Sequence, residues 1–598
     1  MKNTRKFAAM IVALTLSACS IAPMAMTASA EATAGQITFT GEQPGTHSYN
    51  VYKIFNGEAA ANGMNGAAEL NDLSWAVNED VQKALVIALK ESTVVGDIFD
   101  KFSSENAPAV ADFAAVVGTL SGLPGGAGKT KAFAQIVVNV FTANNVTVTA
   151  SGNSTDGITL NTDGYYVIAE TGVSDVPVDD YTGMTAYLLG VYDATAGAKV
   201  IVKSSVPSFQ KKLKDTNDTT GETTGWQDSA DYDIGDDVPF QLKATLPSTY
   251  AAYKAYKLTF HDNFRDVNDN EVFTFKQIDK VYVDGNSNGI FDGSDFEIYN
   301  YTLKKDATTQ KADVIYNMEV EIANLKTVYG GDTPETASVI VEYTATLNDN
   351  AVLGSKGNWN DAYLSYTTNP NWNGTGDTDT TPDEEKEHPK DSPIDTTVVF
   401  TYQTVINKIN PQGEALTGAN FVLAKKYSTT PTGGEELIVG EGESAVTYTG
   451  YYKVSEITAT DKKSFEFKGL DDGDYILVET KAPANYKKAT KPVYFTISAV
   501  HTNDSDGALE LTSLTGAKTA GVTDDGFINL QTIAGSSEQM SSELSSGKIG
   551  ANFINTSGAE LPSTGGIGTK IFYLGGGAMV AVAGVFLITK KRMGKSEN

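Results

Sequence analysis

Cysteine is nearly missing from this chain: of 598 residues one is cysteine, Cys19, so no disulfide can form within it. Histidine is also scarce, and His47, His261, His388 and His501 fall at no metal-ligand spacing. Positive charge is short as well. The 45 lysines and arginines face 74 aspartates and glutamates, a net charge of −29, which excludes nucleic acid and anionic membrane surfaces as partners. Gly128-Lys129-Thr130 looks like the end of a phosphate loop, but the first glycine such a loop requires falls on Leu123.

Long apolar runs are confined to the two ends. The first follows Lys2, Arg5 and Lys6, extends from Phe7 to Leu16 and leads to Ala28-Ser29-Ala30, the pattern of a cleaved export signal over residues 1–30. Leu16-Ser17-Ala18-Cys19 offers a competing lipidation cut. The second run, Ile571 to Ile588, is long enough to span a bilayer as a helix, and Lys590-Lys591-Arg592 behind it favours cytoplasmic retention. Just before it stands Leu561-Pro562-Ser563-Thr564-Gly565. Pentapeptide, span and basic tail together resemble the LPxTG sorting signal that sortases recognise on Gram-positive surface proteins, which implies cleavage between Thr564 and Gly565. Without residues 1–30 and 565–598, 37 basic residues face 73 acidic ones, a net charge of −36.

Between the ends the chain is rich in Thr, Val, Tyr, Gly and Asn with few helical periods, so an all-β fold of tandem Ig-like sandwiches is expected. The first region, 31–202, begins and ends in strand-like sequence, with helical patterns inserted at Val81–Lys90 and Ala109–Val117. The second, 203–393, runs in alternating strands and closes in an acidic, Pro-containing stretch, Gly376 to Pro393, expected as a loop or linker. The third, 394–558, again reads as short strands and turns. The sorting signal occupies 559–598.

The third region carries two quotable motifs: Gly413-Glu414-Ala415-Leu416-Thr417-Gly418-Ala419-Asn420-Phe421-Val422-Leu423 and Tyr475-Ile476-Leu477-Val478-Glu479-Thr480-Lys481-Ala482-Pro483. They resemble the collagen-adhesin B-type domain and the E-box of sortase-assembled pilins. The resemblance implies an internal isopeptide cross-link between Lys408 and Asn555, with Glu479 relaying protons. Burial favours this chemistry, because it disfavours both the ammonium and the carboxylate and so leaves a free amine beside a protonated acid.

The second region resembles the A-type domain of the same pilins. Period-two alternation along Phe209, Lys211 and Leu213 sets Lys211 on the apolar face, opposite to Lys212 and Lys214. Its expected partner is Asn348, closing Tyr343 to Leu347, with Asp262 as the acid and Asp236 as the alternative. In the first region no asparagine lies near the last strand, so no cross-link is expected there, and Lys53 and Glu170 are the residues to inspect.

The family also uses an exposed lysine at the junction of its first two domains as the sortase acceptor. Lys203, in Val200-Ile201-Val202-Lys203, occupies that place, with Lys199 in reserve, although Ile201 and Val202 replace the family's tyrosine and proline. Finally, Asp284, Asn286, Asn288, Asp292 and Asp295 stand at the oxygen positions of an EF-hand-like loop with Gly289 at its sixth place, a calcium candidate; a plain Asn/Asp/Gly turn is the alternative. No other cofactor is required.

The resemblance implies a pilus backbone subunit. It would be a substrate of class C and housekeeping sortases rather than an enzyme, polymerised with identical subunits, joined at last to peptidoglycan, and accompanied by ancillary pilins or host surface ligands. A wall-anchored monomeric or pilus-tip adhesin is the alternative.

Overall fold

A computed structural model gives the fold of residues 35–558, except for short segments (41–44, 62–67, 176–181, 185–187, 202–205, 251–252, 265–269, 312–313, 330–336, 379–380, 382–384, 504–507, 523–525 and 532–537) and a few single residues; beyond it 579–580, 582–583 and 585 are described. Three β units follow one another.

In the first, Thr46–Ala61 and Gly164–Ser174 form the centre of a sheet completed by Ala68–Trp75, Leu188–Tyr192 and Ala150–Asn153. A smaller sheet pairs the unit's first strand, Gln36–Thr40, in parallel with its last, Ala198–Ile201. The inserted helices include Glu79–Lys90 and Val110–Thr119, close to the two expected. The first starts at Asn78, whose side chain accepts from the Val81 N–H, and buries Val81, Leu85, Val86 and Leu89 at helical spacing. A further helix, Gly126–Ala143, contains the discarded Gly-Lys-Thr sequence and buries Phe133, Val137 and Phe141 in the same core.

The second unit is a two-sheet sandwich. One sheet orders Phe296–Glu297, Phe273–Asp284, Ser338–Leu347, Asp237–Thr245 and Ser208–Leu213; the other is built on Leu258–Asn263, Asn358–Thr367 and Met318–Ile322. Leu242, Phe260, Val320, Val341 and Leu364 meet between them, each contributing about 1.5–3 kcal/mol by burial. The unit does not end at 393. Pro389–Asp391 and Asp395–Phe400 both pair with Asn358–Thr367, so the tail of the expected linker and the first strand assigned to the third region belong to this sheet.

The third unit starts at Tyr402–Ile409, which lies parallel to its last long strand, Lys548–Ile554. Facing them is a six-stranded sheet that includes Asn420–Lys426, Gly473–Lys481 and Val493–His501. Strand Asp395–Phe400 serves two cores. Val399 packs into the second unit, whereas Val398 and Phe400 pack into the third, as alternation across a pleated strand requires. Among the described residues no helix is long and apolar enough to cross a membrane, and the expected span and export signal lie almost wholly outside them.

Candidate functional site

Parallel pairing sets Lys408 opposite Phe553, two residues before Asn555, while Glu479 projects from Gly473–Lys481 in the facing sheet. All three side chains are buried. Lys408 Nζ donates to the Phe553 carbonyl at 3.0 Å and lies 3.9 Å from Glu479 Oε1. Glu479 Oε2 accepts from Asn555 Nδ2 at 2.9 Å and from the Ala489 N–H at 2.8 Å. Asn555 Nδ2 also donates to the Lys487 carbonyl. Glu479 Oε1 and Asn555 Oδ1 have no hydrogen-bond partner. Burial lowers the Lys408 amine to about 8, against the opposing pull of Glu479, and burial raises the Glu479 carboxyl above its ordinary range. Burial thus shifts the amine toward its free form and the carboxyl toward its protonated form, on either side of an amide.

In the second unit Lys211 and Asp262 come together, 2.5 Å apart and fully buried. The Tyr343 hydroxyl joins them, accepting from Lys211 Nζ at 2.8 Å and donating to Asp262 Oδ2 at 2.9 Å. The rings of Phe240 and Tyr343 stand 4.9 and 5.3 Å from the amine. Burial lowers Lys211 and raises Asp262, with each partner opposing the other's shift.

Asn348 is not in this group. It is partly exposed and its amide donates to the Glu271 carbonyl and to Thr274. The reason is parity: Tyr343, Ala345 and Leu347 face the core, so position 348 faces away. The asparagine that does reach the site is Asn360, fully buried on Asn358–Thr367, whose Nδ2 donates to the Tyr343 hydroxyl at 3.3 Å. Asn360 Oδ1 and Asp262 Oδ1 are both without partners. Sequence reasoning missed Asn360, although Ala362, Leu364 and Tyr366 share its parity and are buried. Asp236, the alternative acid, lies instead with Asp218, Asp233 and Asp471.

In the first unit, buried Glu170 meets His47 at 2.6 Å, and Lys53 reaches Thr162 rather than Glu170. Lys203 and Leu561, Pro562, Thr564 and Gly565 lie outside the described residues. Lys199 lies on Ala198–Ile201 opposite Thr38. In the Asp284–Asp295 loop the carboxylates accept from the turn itself: Asp284 from the N–H groups of Asn286 and Gly289, Asp295 from those of Gly285 and Asp292. Hydrogen bonds from Ser294, Asn286 and Asn288 lower Asp292 to about 2. A calcium ion would compete with these N–H groups for the same oxygens.

With this geometry in place, comparison with known proteins is informative. Residues 403–509 match the SpaA prealbumin-like fold domain, and residues 554–593 match the LPXTG cell wall anchor motif. The chain is a secreted, cell-wall-anchored surface protein. It is 25% identical over 424 residues to the trypsin-resistant surface T6 protein of Streptococcus pyogenes serotype M6, covering 66% of this chain and 71% of that one. Among solved structures, the T6 backbone pilin of serotype M6 S. pyogenes aligns at a TM-score of 0.43 and 16% identity, covering 91% of this chain and 100% of that one. The full-length major pilin SpaD of Corynebacterium diphtheriae aligns at 0.35 and 13% identity, covering 88% and 98%.

Proposed function

We propose that this chain is the structural backbone subunit of a covalently polymerised surface pilus, with internal isopeptide bonds in its second and third units. The sequence match to T6, itself a backbone pilin of modular three-domain structure, carries the backbone reading; the wall anchor supports it.

Within the third unit the Lys408 amine attacks Asn555 Cγ. The Nζ–Cγ bond forms, the Cγ–Nδ2 bond breaks and ammonia leaves, while protonated Glu479 gives its proton to the Asn555 amide and takes one from the attacking amine, ending protonated as it began. Burial supplies the reactive protonation states and the strands supply proximity, so no cofactor enters. In the second unit the same exchange joins Lys211 to Asn360, with Asp262 as the proton relay and Tyr343 holding the three groups together. Polymerisation is a separate, sortase-catalysed step in which the Thr564–Gly565 bond breaks and the Thr564 carbonyl is joined to Lys203 of the next subunit. The last subunit is transferred to peptidoglycan.

An immunoblot of boiled wall extracts tests the assignment. A wild-type ladder that collapses to monomer in Lys203→Arg is expected. A ladder that persists in Lys203→Arg removes that residue from the joint, and a wild type without any ladder favours an adhesin.

A further inference from the structure

The boundary between the second and third units holds two groups of acidic side chains, and they differ in what neutralises them. Asp218, Asp233 and Asp471 surround Lys425, whose fully buried amine bonds all three, at 2.6 Å from Asp218 and 3.0 Å from Asp233. That group already has its cation. The second group, Asp215 and Asp231 of the second unit with His501 of the third, has no lysine or arginine among the described residues, and His501 is its one basic side chain.

Three observations make the second group a site rather than a patch of acids. First, one ligand atom from each residue lies within 4.8 Å of the other two, and His501 Nε2 is 3.4 Å from Asp215 Oδ2, about the span between two ligands of one tetrahedral ion. Second, Asp231 is 4% exposed and its Oδ2 has no well-formed hydrogen bond, the neighbouring Tyr402 hydroxyl being likewise unsatisfied. A buried carboxylate oxygen left bare is costly, so something should meet it. Third, His501 is already oriented. Its Nδ1 is 2.7 Å from the Ser229 hydroxyl, which also bonds the Thr502 carbonyl and Asn503 Oδ1. Donating its single proton to the Thr502 carbonyl, the hydroxyl can accept the Nδ1 proton, which sets Nε2 toward Asp215 as the ligating nitrogen. That is the outer-shell arrangement of metal-binding imidazoles.

We propose that Asp215, Asp231 and His501 form a divalent transition-metal site, of the zinc or manganese class, that clamps the second unit to the third. One imidazole with two carboxylates suits such ions better than calcium, which takes oxygen ligands throughout. Two carboxylates balance the ion's charge, and water completes its coordination.

The full-length chain, stripped with chelator and titrated with Zn²⁺ or Mn²⁺ by calorimetry and native mass spectrometry, tests this. An Asp292→Asn background silences the Asp284–Asp295 loop. One ion per chain is expected, with binding weakened roughly tenfold or more by Asp215→Asn and by His501→Gln. Co²⁺ should give visible d–d absorption that His501→Gln removes. Asp215 is only partly buried, so Asp215→Asn decides the matter if the histidine variant fails to fold. No uptake by the wild type at about 1 mM metal, a very weak affinity, overturns the site. So does undiminished uptake by a folded Asp215→Asn or His501→Gln chain.

Discussion

Replacing Glu479 by glutamine keeps the side chain's shape and its acceptor for the Ala489 N–H, but removes the group that can shuttle a proton between Lys408 and Asn555. The wild-type chain should weigh one ammonia less for each internal bond, and Glu479→Gln should regain one of those masses. The stability at stake follows from the length of chain the bond closes. Lys408 and Asn555 are 147 residues apart, and the chain-entropy estimate for a covalent loop of that size is about 5 kcal/mol. At roughly 2–4 °C per kcal/mol for a unit of this size, the third unit should melt some 10–20 °C lower in the variant. Intact-mass measurement and scanning calorimetry on the same preparation read both effects. A wild type at the mass of its unmodified sequence would refute the reasoning. So would a Glu479→Gln chain that had still lost the ammonia.

The other predictions are brief. Asn360→Ala should restore one ammonia mass whereas Asn348→Ala should not, by the same mass measurement; the opposite result would return the second cross-link to Asn348. Formation of the Lys408–Asn555 bond should follow a bell-shaped pH profile in time-resolved mass spectra of chain refolded before cross-linking. Lowering Lys408 from 10.5 to about 8 increases its free-amine share at pH 7 roughly 300-fold. Acid withdraws that amine by protonating it, and alkali ionises Glu479, whose pKa burial has raised; a flat profile would count against the relay. Lys425→Met should cost about 3–5 kcal/mol in calorimetry of the full chain, because it strands Asp218, Asp233 and Asp471 without their cation. A neutral outcome would mean those acids are protonated in the native state.

Period two was the most dependable guide in the sequence. It set Lys211 on the core face, and applied consistently it would have excluded Asn348 and directed attention to Asn360, a polar residue at an apolar parity. The third-unit group was legible because Lys408, Glu479 and Asn555 each sit in a recognisable strand motif. The inter-unit groups were not. Lys425 meets Asp218 and Asp233 across 207 and 192 residues, and no local pattern marks contacts at that separation. Helix Gly126–Ala143 escaped because its first turn reads Gly-Ala-Gly, which propensity disfavours; tertiary burial of Phe133, Val137 and Phe141 outweighs that. The boundary at 393 failed for a related reason. The apolar triplet Val398-Val399-Phe400 shows burial on both faces of a strand, but not that the two faces belong to different units.

That strand also has a consequence for the order in which the protein is made. A chain exported from its N-terminus delivers residues 208–367 first, yet the second unit lacks a sheet strand until Asp395–Phe400 has emerged. The third unit cannot close its core without the same six residues. Neither unit has a finished state to wait in, so the two should reach the native state as one cooperative block. A truncation at either end of that strand would leave one of them incomplete.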